Sequence, residues 1–390
     1  MTRRSTALAA ALLLSVAAIP LSGAQAFQPT GSDVGDAFLT LLEAEDGKVD
    51  SYASASPTSA GLVIEGIKVV SDGGDDTVVT IGRTLLSDGQ LQADGRLKLG
   101  GLSMDDLALT SSDGGLTVQT MRATDVLLPA PGMVDNVEDL PLGGPVYKTV
   151  AVETITVTAE DGNTVAIDKI AATIDEMDGD LMTAGSFAVD GLTIDTAALS
   201  DTDAAELKKL GYDSITLDVS GQGRWDPDSA QADLQSWRIS GAEVGTLELS
   251  FSLGGITREL IDQLDAAQDN PEEAMALMQG ITVNAINIDL QNDSLVDRVL
   301  EQHAQEAGMD RATFVSQMTA ALPMMLGMLQ NPGFQDEVAT ALTAFMTDPK
   351  SLSLAAAPAN PVPMAQIMGT VMMAPQALPQ MLGVSINANQ

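Results

Sequence analysis

Ile215-Thr216-Leu217-Asp218-Val219 alternates apolar and polar residues without a fault, and Gly221, Gly223 and Trp225 keep the odd positions beyond it. Ser220, Gln222 and Arg224 keep the even ones. A period of two is the mark of a strand with one dry and one wet face. Asp226-Pro227-Asp228-Ser229 then supplies turn chemistry. The chain returns through Leu247, Leu249, Phe251 and Leu253, which alternate with Thr246, Glu248, Ser250 and Ser252. On the way Leu234 is even, but Trp237 and Ile239 are odd, so a bulge is expected near Gln235-Ser236.

Outward from this hairpin, short apolar runs recur between Asp-Gly and Gly-Gly pairs, the usual residues of tight hairpin turns. The turns fall at Asp72-Gly73-Gly74, Asp88-Gly89, Asp94-Gly95, Asp113-Gly114-Gly115, Asp161-Gly162 and Asp178-Gly179. The runs include Gly66-Ile67-Lys68-Val69-Val70, Leu107-Ala108-Leu109-Thr110, Thr154-Ile155-Thr156-Val157 and Gly191-Leu192-Thr193-Ile194. Their likeness predicts a β-rich α+β fold, a long twisted antiparallel meander of repeated hairpins whose dry side needs a cover. A helix is expected over 31–45, a short one over 204–210, and a surface loop from Pro129 to Pro145.

Beyond Gly255 the spacing turns helical. Thr257, Asn270-Pro271, Asp310 and Asn331-Pro332 read as helix starts, a strand pair is expected over 281–290, and a Pro-punctuated helix over 363–382. Residues 351–355 and 384–388 read as closing strands. The expected division is a signal peptide over 1–26, a hairpin sheet with an N-terminal helix over 27–256, and a mainly helical, Met-rich cap over 257–390.

The first 26 residues carry Arg3-Arg4, an apolar run from Ala7 to Ile19 and the small-residue site Ala24-Gln25-Ala26. That is the pattern of a cleaved secretory signal, and it predicts a periplasmic chain starting near Phe27 with no membrane span of its own. Loss of Arg3 and Arg4 leaves 16 basic against 54 acidic residues, a net charge of about −38. Such a surface excludes nucleic acid as a natural partner and is repelled by anionic head groups. No cysteine is present, so no disulfide can staple the exported fold.

Catalytic signatures are missing. His303 stands alone among Asp297, Glu301 and Glu306 and reads as a solvated helix-face histidine. No nucleophile elbow or phosphate loop accompanies it. The acidic groups Asp72, Asp75 and Asp76, and Asp175, Glu176, Asp178 and Asp180, lack calcium-loop spacing and read as solvated turns. No cofactor is expected. Met324, Met325 and Met328 on one helix and Met364, Met368 and Met372 on another are the unusual feature. Thioethers at that spacing serve as adaptable core, as the lining of an apolar cavity, or as copper(I) ligands.

Gly211-Tyr212-Asp213 through Trp225-Asp226-Pro227 resembles a group of exported, mostly uncharacterised proteobacterial proteins of AsmA-like repeated-hairpin architecture. So do Gly241-Ala242-Glu243-Val244-Gly245 with Leu253-Gly254-Gly255-Ile256, and the stretch from Asp289 to Asp297. The resemblance implies a role in moving or organising envelope lipids, although this chain is shorter than the typical relatives and lacks their anchor. It leaves two expectations. One is a non-enzymatic envelope protein that holds an apolar ligand, lipid above all, between the sheet and the Met-rich helices. The alternative is a structural or protein-interaction module of the envelope with no small-molecule ligand.

Overall fold

A computed structural model describes residues 27–43, 47–71, 76–130, 146–179, 181–199, 201–267 and 270–390. The expected signal peptide, the Asp72 and Asp75 turn, Asp180 and most of the Pro129 to Pro145 loop lie outside the described residues. The described residues form seventeen strands and nine α-helices, and the helices gather toward the C-terminus. Two compact units divide at Ala198 and Leu199. The division falls earlier than the expected boundary near 256, and the central hairpin ladders onto strands that come after the first C-terminal helices.

In the first unit, helix α1 (Asp33–Leu41) precedes strands β1 (Gly47–Ser51), β2 (Ser54–Thr58), β3 (Gly61–Ser71), β4 (Val78–Ser87), β5 (Gln90–Leu91) and β6 (Leu97–Ser111). Strands β7 (Gly114–Leu128), β8 (Thr149–Ala159), β9 (Thr164–Asp178) and β10 (Leu181–Asp195) follow. From β3 through β4, β6, β7, β8 and β9 to β10 every ladder is antiparallel, an uninterrupted meander. The short runs of the sequence are halves of these long strands.

The inward-facing parity slips once along β3, β4 and β8 and twice along the longer β6 and β7. Residues 62 and 64 of β3 face the core, then 67 and 69; β8 gives 150 and 152, then 155 and 157. One slip per strand is in line across the sheet: Glu65, Arg83, Asp105, Thr120, Glu153, Lys169 and Asp190 pair in succession. One position further on, Gly66, Asp106, Thr154 and Gly191 hold left-handed φ values of 65, 55, 54 and 66° on alternate strands. A strand residue in that region re-aims the next side chain, which is how the alternation changes phase without ending the ladder. At Gly191 only glycine fits, because a Cβ would lie 2.2 Å from the Asp168 carboxylate.

The apolar residues on either side of this line make the first core. Phe38 and Leu39 of α1 sit with Ile64, Ile67, Leu97, Leu99, Val118 and Ile155, all buried. Toward β9 and β10 the cover thins, and Phe187 and Met182 are exposed.

The second unit begins with α2 (Asp201–Lys209) and strands β11 (Ser214–Asp226), β12 (Gln231–Gly241) and β13 (Gly245–Gly254). Helices α3 (Arg258–Ala266) and α4 (Pro271–Leu277) lead to β14 (Thr282–Asn292). The expected strand pair over 281–290 is thus one strand, since a run of alternating residues with no turn chemistry inside it cannot reverse. Then come α5 (Leu295–Glu306), α6 (Arg311–Leu326), α7 (Pro332–Thr347), β15 (Ser351–Ala356), β16 (Val362–Pro363), α8 (Met364–Met373), α9 (Leu378–Met381) and β17 (Val384–Ala388). Pro375 and Pro379 split the expected 363–382 helix into α8, a 3-10 turn and α9.

The helix starts expected from sequence are made by side-chain caps. Thr257, Asn270, Asp310 and Asn331 accept from the backbone N–H groups of Leu260, Glu273, Thr313 and Phe334 at 3.1, 3.4, 3.0 and 3.3 Å. Among the described residues no helix is long and apolar enough to cross a membrane.

Candidate ligand-binding face

Strand register in the second unit assembles an apolar surface from residues far apart in sequence. Directly opposed residues share a face of an antiparallel pair. Val219, Ile239, Leu247, Leu290, Leu352 and Ala388 form one row across β11, β12, β13, β14, β15 and β17. Gly221, Trp237, Leu249, Ile288, Leu354 and Ile386 form the next, and Gly223, Leu234, Phe251, Ile286, Ala356 and Val384 the third. The bulge at Gln235-Ser236 is present as expected: Leu234 opposes Phe251 and Trp237 opposes Leu249, with two residues on β12 facing one on β13. Without it Leu234 would point to the polar side.

The reverse face is polar and bonded to itself. Asn287 Nδ2 donates to Ser250 Oγ at 3.2 Å, Asn284 Nδ2 to Ser252 Oγ at 3.4 Å, and Arg238 lies 3.5 Å from Glu248. The apolar face is therefore the one left in want of contact.

Only one end of it is covered. Helix α7 lays Val338 and Ala341 on Ile386, with Phe334, Leu342, Leu352 and Ala388 around them. Over β11 to β14 the rows are half-buried or exposed apart from Gly221, and Leu247 and Ile288 are 37% and 38% exposed. In the first unit the corresponding inward positions from β3 to β8 are mostly buried, and the cover thins only toward β9 and β10. Taking neighbouring strands at about 4.8 Å, the four uncovered strands present an apolar strip about 14 Å wide between outer backbones.

The ends of the strip are pinned. Trp225 Nε1 donates to the Ile256 carbonyl at 2.7 Å, and Arg258 lies over the Trp225 ring at 5.5 Å. Tyr212 is buried, donates its hydroxyl to the Glu243 carbonyl at 2.9 Å and carries Arg298 over its ring at 4.3 Å. Arg298 also donates to the Leu210 and Gly211 carbonyls at 3.0 and 3.1 Å, tying α5 to the loop that enters β11. Trp237, by contrast, has its ring on the uncovered middle of the strip.

Several of the methionines singled out from sequence are turned to solvent. Met324, Met325 and Met372 are 85%, 66% and 85% exposed, and Met368 is 37% exposed. Met364 is half-buried, and Met328 lies in the 3-10 turn after α6. Exposure on this scale excludes core packing for Met324, Met325 and Met372, because helical spacing specifies a shared face but not what lies opposite it. The residues that make the strip, Trp237, Leu249, Phe251 and Ile288 among them, were visible in sequence as a dry face; that the dry face stays half open was not.

His303 stacks on Phe314 with ring centroids 6.5 Å apart, and its Nδ1 lies 3.4 Å from Glu306. Its side chain is 56% exposed, as a solvated helix-face histidine should be. Among the described residues no three metal-ligating side chains converge.

The second unit is thus an antiparallel meander with an apolar face that α7 covers at β15 and β17 and leaves half open over β11 to β14. Residues 238–389, from β12 to β17, match a protein family whose description reads only "Uncharacterized protein". No curated protein matches the chain.

Proposed function

We propose that this is a non-enzymatic, exported protein of the cell envelope that holds an apolar ligand of lipid class against the uncovered strip of β11 to β14. The observation that carries the proposal is the half-open state of the strip, in contrast to the core that α1 and strands β3 to β8 enclose. Apolar side chains such as Trp237, Leu249 and Phe251 each contribute roughly 1.5–3 kcal/mol when fully removed from water. A sheet that leaves several of them half exposed has the remaining part of that contribution available for a ligand. The strip carries no charge, so an acyl chain suits it better than a polar metabolite. Each buried methylene contributes about 0.8 kcal/mol, so about ten of them reach micromolar affinity, near −8 kcal/mol. The resemblance to AsmA-like proteins supports the same ligand class. In this reading the methionines of α6 and α8 do not line the site.

The chain has two tryptophans, which provides the test. In a Trp225→Phe protein Trp237 is the only indole, and a spin-labelled fatty acid should quench it saturably at about one per chain. Salt should barely alter the binding, since an apolar contact lacks the charge dependence of a surface site. Leu249→Gln should weaken it about tenfold, the effect of losing roughly 1.4 kcal/mol. Absence of saturable quenching with several chain lengths would refute the reading and favour the alternative, an envelope interaction module without a small ligand.

A further inference from the structure

The exposed methionines need an account of their own. Met324 and Met325 close the C-terminal end of α6, and Met372 and Met373 close that of α8. All four are among the most exposed apolar side chains described, Met373 at 88%, and Val371 beside them is more than half exposed. The two helix ends converge: Asn331, just beyond α6, donates from Nδ2 to the Gln376 carbonyl, just beyond α8, at 3.1 Å.

Charge marks the same two segments. Residues 312–335 and 351–390 contain no Asp, Glu, Lys or Arg, in a chain where 18% of residues are charged and the net charge is −36. At that average about seven charges would be expected in the 40-residue segment alone. Both stretches that carry the protruding methionines are therefore neutral islands on a strongly acidic protein.

We propose that the converging ends of α6 and α8 form a membrane-contact patch, in which Met324, Met325, Met372 and Met373 enter the head-group boundary of an uncharged, zwitterionic lipid surface. The patch protrudes and has no charged residue in its own segments to fix the register of a protein partner, whereas specific protein interfaces surround their apolar core with a polar, hydrogen-bonding rim. A fluid bilayer asks for no such register. Unbranched, flexible thioether side chains suit a surface that has no fixed shape. The acidic remainder of the molecule repels anionic lipid, so the neutrality of the patch decides which surface it can meet. Contact of this kind is shallow, through side chains of helix ends in the interface rather than through a span. It is independent of the ligand strip.

Flotation of the full mature chain with phosphatidylcholine vesicles tests it. The protein should float with them, and 1 M NaCl should leave the floated fraction unchanged. The combined Met324→Gln, Met325→Gln, Met372→Gln and Met373→Gln protein should partition at least about tenfold less while keeping the wild-type Tm, since the four side chains are exposed. Leu249→Gln should float like wild type, which separates this proposal from ligand binding on the sheet. Failure of the wild-type chain to float with neutral vesicles would overturn the proposal, as would equal flotation of the four-Met variant. Flotation lost in high salt, or only with anionic lipid, would also overturn it. So would a Met-dependent dimer in solution without flotation, which would assign the patch to a second copy of the chain.

Discussion

Thr84 is wholly enclosed between Ile64 and Met104 in one row of the first-unit core, and its Oγ1 has no hydrogen-bond partner among the described residues. A buried hydroxyl without a partner costs roughly 1–3 kcal/mol. Thr84→Val, of nearly the same shape, should therefore raise stability by about 1 kcal/mol, read as a higher denaturant midpoint at unchanged slope. Ile155 in the same core is 1% exposed, and Ile155→Ala should cost about 2–5 kcal/mol. Met372→Ala, at an exposed position, should stay within about ±0.5 kcal/mol. A large loss at Met372 would show that α8 packs its methionines inward. The contrast could not be drawn from composition, because isoleucine on a strand and methionine on a helix both read as interior residues.

Among the elements, the last strand shows how an edge is managed. Strand β17 ladders onto β15, and the Ile386 N–H donates to the Glu337 carboxylate of α7 at 3.1 Å. An edge N–H held by a charged side chain is withheld from another chain's strand. Glu337→Ala should free it and promote concentration-dependent self-association, measurable by sedimentation; an unchanged monomer at high concentration would refute that role. Helix starts were legible because capping is local: Thr257, Asn270, Asp310 and Asn331 need only the next three residues to act. Strand lengths were not. Runs such as Thr154 to Val157 read as complete in themselves, yet β8 continues back to Thr149 through the left-handed Thr154. A phase slip ends a period-two pattern in the sequence but not a ladder, which is held by backbone hydrogen bonds that do not depend on side-chain parity.

At the scale of the whole molecule the excess of acid dominates. With 54 acidic against 18 basic residues, like charges crowd the folded surface more closely than the unfolded chain. Raising NaCl from about 10 mM to about 0.5 M shortens the screening length from roughly 30 Å to a few ångströms and should raise the Tm. A flat or falling Tm would mean that ion pairs such as Arg122 with Asp105 at 3.0 Å outweigh the repulsion. Composition and charge, the two-fold periodicity, the turn pairs and the helix caps are properties of single residues or near neighbours. From them the sequence by itself determined a β-rich antiparallel meander followed by helices, the bulge at Gln235-Ser236 and the dry face of the central hairpin. What meets that dry face depends on side chains brought from other parts of the chain. Only the tertiary structure decided that α7 covers the strip at β15 and β17 but leaves Trp237, Leu249 and Ile288 half open, and that Met324, Met325, Met372 and Met373 face outward. An amphipathic pattern states that a face is apolar; cover is a long-range contact, and helical or strand spacing carries no information about the partner.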